Sequence, residues 1–394
     1  MKGRVFRRSA GWAYAVDVGK DPSGRRQQKW KQGFASKRDA ERALREVLHA
    51  LDHQRYVESN RRLTVAAYVC DEWLPAVRPP NLRESTWNSY RNELELNVLP
   101  HLGGIVLQQL NAVQLNRLYA HLLNDGRKDG RGGLSPRSVR YIHTIVRKAL
   151  SDAMRWGRVE RNVADVADPP RQHHGVHRLA IRTWSPAQLQ GFLAHVREER
   201  LYAAWLLTAT TGMRRGEVLG LHWADVDLDA GRLAVRQTLV MVGGESRFSD
   251  PKTRHSRRTI DLDARTVTAL RTWRRRQERE REQWGVAWRD LGLVFTREDG
   301  ALIHPDEWSG TFERHVRAAG LPRIRLHDLR HTHATLMLAA GVSPTVASER
   351  LGHHSTAFTL DVYSHVVPGM QAEAAERVSD LVFGETDDPD TTGV

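Results

Sequence analysis

The sequence predicts a multidomain, mainly α-helical protein with small antiparallel sheets, and three observations carry that prediction. Apolar residues alternate with others near the start and between about 225 and 262, whereas elsewhere they recur three or four positions apart. Prolines and glycines gather at a few places that divide the chain, among them Pro79-Pro80, the stretch 124–133 and Pro169-Pro170. A length of 394 residues with 40% hydrophobic content suffices for two or three separate cores. The formal charge of +13 and the sequence pI of about 10.2 point to a polyanionic partner. No apolar run approaches the ~18–20 residues of a spanning helix, and no N-terminal apolar segment signals export. The single Cys70 excludes an internal disulfide and fits a reducing bacterial cytosol. Nucleic acid is therefore the expected partner, and a membrane is not.

Residues 1–62 carry +9 of the net charge. Trp12, Tyr14, Val16 and Val18 alternate as in a half-buried strand, Asp21-Pro22-Ser23-Gly24 makes a turn, and 26–34 returns as a second main strand. Ser36 caps a helix with Asp39 in the capping-box position, and Ala40, Ala43, Leu44, Val47, Leu48 and Leu51 form its apolar face. The segment reads as a three-stranded sheet plus helix that can lay its strands in a major groove, with Arg26, Lys29 and Lys31 as candidate DNA contacts, although its residues alone equally suit a basic, solvated appendage. Residues 63–170 read as all-helical, with helices expected at 65–73, 84–98, 113–124 and 136–156. Pro75, Pro79-Pro80 and Pro100 punctuate the first half. The last helix bears Arg137, Arg140, His143, Arg147 and Lys148 at helical spacing; Arg137, Arg140, Arg147 and Lys148 are candidate DNA contacts, although such a stripe also suits a solvated face. Residues 171–177 read as a linker. His173, His174 and His177 lack neighbouring acid or thiol ligands, so no metal is assigned there.

In 178–384, Ser185-Pro186 opens a helix, and 202–209 forms a buried helix leading to Thr211-Gly212. A hairpin is expected over 225–240 around Asp229-Ala230-Gly231, with a third strand at 257–262 after a turn holding Lys252. Helices follow at 265–283, 307–319, 328–340, 344–351 and 357–365. Residues 371–383 carry an apolar face suited to a neighbouring molecule or to the chain's own domain. The tail 385–394 is acidic and expected to be disordered.

Chemistry concentrates in three stretches: Thr211-Gly212-Met213-Arg214-Arg215-Gly216-Glu217, Pro251-Lys252-Thr253, and 326–365. The last holds Leu326-His327-Asp328-Leu329-Arg330-His331-Thr332-His333, Leu351-Gly352-His353-His354 and Asp361-Val362-Tyr363. A phenol with pKa near ~10 is a poor nucleophile unless helped. A phosphodiester under in-line attack gains negative charge on its non-bridging oxygens, and two guanidiniums, here Arg214 and Arg330, can clamp them while staying charged. His327 and His353 can donate to those oxygens or handle the tyrosine proton, and Lys252 suits protonation of the departing 5′ oxygen. Glu217, one turn after Arg214, can hold it in place. Taken singly these are ordinary residues, and five histidines between 327 and 354 equally suit a metal cluster. Their joint order is specific.

That order closely resembles the tyrosine recombinases, the phage-integrase family. The resemblance is strong over the catalytic region, moderate over the helical region and weaker over the N-terminal module. It implies catalytic Arg214, Lys252, His327, Arg330, His353 and Tyr363, with Glu217 supporting. It also implies an arm-site DNA-binding module (1–62), a SAM-like core-binding domain (63–170) and a tyrosine-recombinase catalytic domain (178–384). One departure is Val163 after Asn162, where relatives often have proline. The implied activity is site-specific cutting and rejoining of double-stranded DNA attachment sites through a 3′-phosphotyrosyl intermediate, by a tetramer assembled on DNA. That intermediate keeps the phosphodiester energy, so neither ATP nor metal is required. An excision factor and a DNA-bending host protein are the further partners implied. Related readings are a chromosome-dimer resolvase, whose kind generally lacks a module like 1–62, and a type IB topoisomerase. A non-catalytic DNA-binding protein is disfavoured by the full residue set.

Overall fold

The computed structural model describes residues 3–9, 11–20, 26–52, 62–171, 182–250, 257–352, 375 and 378–382. The expected helix at 357–365, the linker 171–177 apart from its first residue, and the acidic tail lie outside the described residues. The chain divides into two compact units, Met1–His174 and Gly175–Val394.

In the first unit, strands Gly3–Arg8, Gly11–Lys20 and Arg26–Phe34 form an antiparallel sheet in sequence order. The pairing Val5↔Tyr14↔Lys31 sets its register, with irregularities between Trp12 and Ala13 and between Asp17 and Gly19. The helix Lys37–Asp52 covers one face, packing Leu44 on Tyr14 and Val16 with Val5, Phe34, Ala43, Val47 and Leu48 around them. Its start is as expected: the Asp39 amide donates to Ser36 Oγ at 3.1 Å, and that hydroxyl donates to the Asp39 carboxylate at 2.7 Å.

The helical region corrects the reading of its prolines. The first two helices continue through Pro75 and Pro100, the one as Val65–Ala67, Tyr68–Trp73 and Leu74–Ala76, the other as Glu84–Glu93, Leu94–Val98 and Leu99–Leu102. In both, a wider π-type turn immediately precedes the Leu-Pro pair. Proline cannot donate to the carbonyl four residues back and its ring crowds that carbonyl; widening the turn relieves both problems without ending the helix. Ala112–Asp125 begins with a reciprocal Asn111–Gln114 capping box, and Pro136–Arg155 is capped by Ser135. The long last helix centres the core through Val139, Ile142, Ile145, Val146, Ala149, Leu150 and Ala153. The Tyr68 hydroxyl donates to the Ala149 carbonyl at 2.8 Å and Trp73 Nε1 donates to Asp152 at 2.9 Å. Val163 stands where a stiffening proline was the alternative, and the preceding Asn162 braces the segment instead: its amide donates to Arg147 O (3.0 Å) and Ser151 Oγ (2.8 Å), and its oxygen accepts from Ala164 N (3.0 Å).

In the second unit the buried helix Tyr202–Thr211 is the spine of the core, Trp205 stacking on Trp308 beside Phe192 and Phe312. The hairpin expected around Asp229-Ala230-Gly231 and its third strand are present, but the hairpin ends at Val235 and not at 240. Val226–Asp227, Arg232–Val235 and Arg258–Asp261 form one three-stranded sheet, and Thr238–Val242 pairs with Glu245–Ser249 as a second hairpin. The cause is Gly243-Gly244, whose positive φ values of 60° and 87° turn the chain back on itself. The charged helix Ala264–Trp284 does bury Leu270, Trp273 and Gln277 while pairing Arg274 with Glu278 outside and Arg276 with the half-buried Glu280, which Arg200 also holds. No described helix is long and apolar enough to cross a membrane.

Asp152 is 2% exposed and gathers Trp73 Nε1, Lys148 Nζ and Arg155 Nη2 at 2.6–2.9 Å. Asp152→Ala should lower unfolding free energy by about 1–3 kcal/mol, because it orphans a buried indole N–H. Urea titration followed by tryptophan fluorescence checks this; an unchanged midpoint would mean the indole finds another acceptor.

Candidate active site

The stretch Thr211–Glu217 is a helix end, a turn and a new helix start. Thr211 closes Tyr202–Thr211, and Gly212 follows in the left-handed region at φ 62°. A Cβ on Gly212 would lie 2.6 Å from Leu351 and 2.9 Å from His333, so glycine is required on both counts. Met213 is buried, Arg214 precedes the helix Arg215–Leu219, and Gly216 lies so close to Leu239 O that a Cβ would stand 2.4 Å from it. Arg215 turns away to Pro305 O, Asp306 and Ser309 at 2.8–3.0 Å, a structural anchor.

Glu217, 4% exposed, anchors Arg214. It accepts Arg214 Nη1 at 2.8 Å and the Arg214 backbone N–H at 2.9 Å. Arg258 completes the arrangement, donating to Glu217 from Nη1 at 3.1 Å and Nη2 at 2.8 Å. Burial alone would raise the Glu217 carboxyl; the hydrogen bond and charge of Arg258, then the charge of Arg214, outweigh it and hold the pKa at about 2. The carboxylate is thus charged at any working pH.

Arg330 sits in the helix Asp328–Ala339 and is 3% exposed. It donates from Nη1 to Gly212 O at 2.9 Å and from Nη2 to Leu351 O at 2.6 Å. Arg214 Nη2 donates to Gly352 O at 3.1 Å. The two arginines therefore hold consecutive carbonyls at the end of the helix Pro344–Leu351, immediately before His353 in the chain. Asp328, bound by Arg325 at 2.8 Å, and Thr332, which accepts Trp184 N at 3.1 Å, fix the helix that carries Arg330.

His327 begins that helix and meets the His331 ring edge-to-face at 5.2 Å. Desolvation by the surrounding protein, then the charges of His331 and Arg330 and, more weakly, Arg214, push its pKa down to about 4, although the residue as a whole is exposed to solvent. At neutral pH it is a neutral imidazole, able to donate from one nitrogen and accept at the other. The structure thus brings together Arg214, Glu217, His327 and Arg330. Lys252, His353 and Tyr363 lie outside the described residues. Sequence reasoning passed over Arg258. One signal was present: Arg258 shares the period-two face of its strand with buried Ile260, whereas Arg257 points to exposed Asp250.

The candidate DNA contacts separate less cleanly. Arg140 donates to Pro170 O at 3.0 Å, Arg147 to Asp165 at 2.7 Å and Lys148 to Asp152 at 2.9 Å, while Arg137 stands exposed. In the N-terminal sheet, Lys31 and Lys29 pair with Tyr14 and Val16, which puts them on the helix-covered face. The side chain of Arg26 lies outside the described residues. The helix-free face carries Arg4, Phe6, Arg8, Trp30 and Gln32 over small Ala13 and Ala15, with the Arg8 guanidinium 4.4 Å from the Trp30 ring. The one-residue parity of a strand decides this, and the basic residues alone do not reveal it.

Similarity to known proteins runs the length of the chain. The Arm DNA-binding domain pattern matches residues 6–51, the Phage integrase N-terminal SAM-like domain 67–123, and the Phage integrase family 183–369. Fold, motif order and these matches agree: the chain belongs to the phage integrase family of tyrosine recombinases, site-specific DNA recombinases that break and rejoin DNA. A tyrosine recombinase XerC-like protein of Caldanaerobacter subterraneus subsp. tengcongensis is 26% identical over 93% of this chain and 95% of its own length. An integrase of Streptomyces ambofaciens is 28% identical over 94% and 93%. In fold, the chain is similar to the Tn1549 transposon integrase solved with transposon right end DNA (TM-score 0.63, 19% identity, 80% of this chain and 100% of that one). It is also similar to a lambda integrase dimer bound to a core site (TM-score 0.55, 16% identity, 91% and 94%).

Because the folded protein disfavours protonated His327, its stability contribution is complete above the ordinary histidine pKa of ~6.5 and is lost as pH falls toward about 4. NMR titration of ring-labelled histidines, assigned with His327→Gln, should show its midpoint well below the ordinary value. A midpoint at or above that value would show an imidazolium at the site.

Proposed function

We propose that this chain integrates or excises a mobile element by cutting and rejoining DNA through a 3′-phosphotyrosyl intermediate. The observation that carries the reading is the pair of guanidiniums, Arg214 and Arg330, anchored on the consecutive carbonyls of Gly352 and Leu351, the two residues that precede His353 in the chain. In the step proposed, the Tyr363 oxygen loses its proton to a site base, His327 or His353, and attacks the scissile phosphorus. The phosphorus–5′-oxygen bond breaks, and the leaving oxygen takes a proton from Lys252. Arg214 and Arg330 meet the charge on the non-bridging oxygens, worth about 10²–10³ in rate for each well-placed donor. Rejoining is the reverse, with a 5′ hydroxyl attacking the phosphotyrosine. Relatives solved as a dimer on a core site and as a tetramer on a Holliday junction support assembly of four copies on DNA. The exposed apolar residues Val378, Leu381 and Val382 suit a contact between copies.

The division into 1–62, 63–170 and 178–384 with an acidic tail is part of the proposal, supported by separate apolar clusters in the three segments. Residues 1–62 are read as the arm-site binder, working through the face of Arg4, Arg8, Trp30 and Gln32.

Tyr363→Phe should bind attachment DNA as the parent does and form no covalent adduct on a nicked suicide substrate, since only the nucleophilic oxygen is lost. An adduct on a denaturing gel from this variant would remove Tyr363 from the role. Lys252→Ala should slow adduct formation more than it weakens binding.

For the arm module, Arg4→Ala with Arg8→Ala in the full chain should make the log K against log salt slope on arm DNA shallower by about 0.9 per lost phosphate contact. Adduct formation on an isolated core site should be unchanged. An unaltered slope would move arm recognition to another surface.

A further inference from the structure

Resting on the site reading above, we propose that Arg258 is a positioning residue for the recombination reaction, locking Arg214 through Glu217 and tying that lock to the helix end on which Arg330 is held. Arg258 is 6% exposed, and all three of its guanidinium nitrogens donate to Glu217 or to Arg350 among the described residues. Nη1 and Nη2 bridge both oxygens of Glu217, and Nε donates to Arg350 O at 2.7 Å. Glu217 in turn holds Arg214 by side chain and backbone. Arg350 immediately precedes Leu351, whose carbonyl holds Arg330, and stands three residues before His353. One side chain thus bridges the anchors of both phosphate-clamping arginines.

The chemistry needs such a part. A single arginine on Glu217 would leave a buried carboxylate half-paired, free to rotate or to take up a proton, and Arg214 would lose its fixed direction. Two arginines on one carboxylate, with four donors on two oxygens, leave a single geometry. Lysine would keep the charge without the planar fork. Arg257, next in the chain, serves as contrast: it is exposed and pairs with Asp250 at 3.2 Å.

The test measures single-turnover adduct formation by the full chain on nicked core-site DNA with three scissile linkages: the native phosphate, a methylphosphonate and a 5′-bridging phosphorothiolate. A methylphosphonate lacks the charge that Arg214 meets, so a defect transmitted through Arg214 shrinks on it. A phosphorothiolate expels a thiolate, which leaves without a proton, so a defect in the Lys252 turn shrinks there instead. Arg258→Met should be about 10–100-fold slow on native DNA, as for other outer-shell partners. The gap should close on the methylphosphonate and persist on the phosphorothiolate, with Arg258→Lys recovering part of the loss and Arg257→Met matching the parent. The double variant Glu217→Gln, Arg258→Met removes both buried charges together; it should be no slower than Arg258→Met, and it carries the test should the single variant fail to fold.

A gap that closes on the phosphorothiolate, a gap of equal size on all three linkages, or no gap at all would each overturn the proposal. Failure of the underlying site reading looks different. Adduct formation by Tyr363→Phe, or an Arg214→Ala variant that reacts at the parent rate, would sink that reading whatever Arg258 does.

Discussion

The second unit depends on a buried cation that cannot lose its proton. Arg330 is almost fully enclosed, and a guanidinium in that position must have its N–H groups satisfied or cost several kcal/mol. The structure supplies carbonyls from the ends of two helices, Gly212 O and Leu351 O, where the last carbonyls lack partners of their own and the helix dipole is negative. One charge thereby caps two helices and stitches them together. Both end in left-handed glycines, Gly212 and Gly352, so the chain can turn away at once, and Arg214 follows two residues past the first. Packing and the layout of the site are consequences of the same contact.

A buried ion pair, Glu217 with Arg258, orders the other side of this arrangement. Glu217 alone in that environment would tend to stay protonated; between Arg214 and Arg258 it stays ionised far into acid. The neighbouring imidazole responds in the opposite direction. His327, crowded and facing like charges, is held neutral. Permanent positive charge from arginine beside a neutral histidine places groups that do not titrate next to one that can.

The first unit handles its charge otherwise. Much of the basic stripe on Pro136–Arg155 is committed to Asp152, Asp165 and Pro170 O, contacts that brace the helix and its flanking segment. In the small sheet, the helix Lys37–Asp52 takes one face for the core and leaves the other to arginine, tryptophan and glutamine. A surface of alternating guanidinium and aromatic groups over small alanines suits a polyanion, and it exists only because the strands hold the register Val5↔Tyr14↔Lys31.

The sequence by itself determined the fold class and most of the element order, and it pointed to Arg214, Glu217, His327 and Arg330, which the structure brings together, because helical periodicity, capping residues such as Ser36 and Ser185, and the spacing of Thr211–Glu217 and 326–330 are local properties. Even Glu217 was legible, standing one turn from Arg214. It did not determine that helices pass through Pro75 and Pro100, since relief by a wider turn depends on packing around Trp73 and Leu94. It could not choose between Arg257 and Arg258, adjacent and chemically identical, of which the fold buries one. Nor could it say which face of the first sheet is open, because that rests on where a helix thirty residues away comes to lie. Composition and spacing specify which groups are present; only tertiary structure decides which donor meets which acceptor, because those partners are separated by up to 148 residues along the chain.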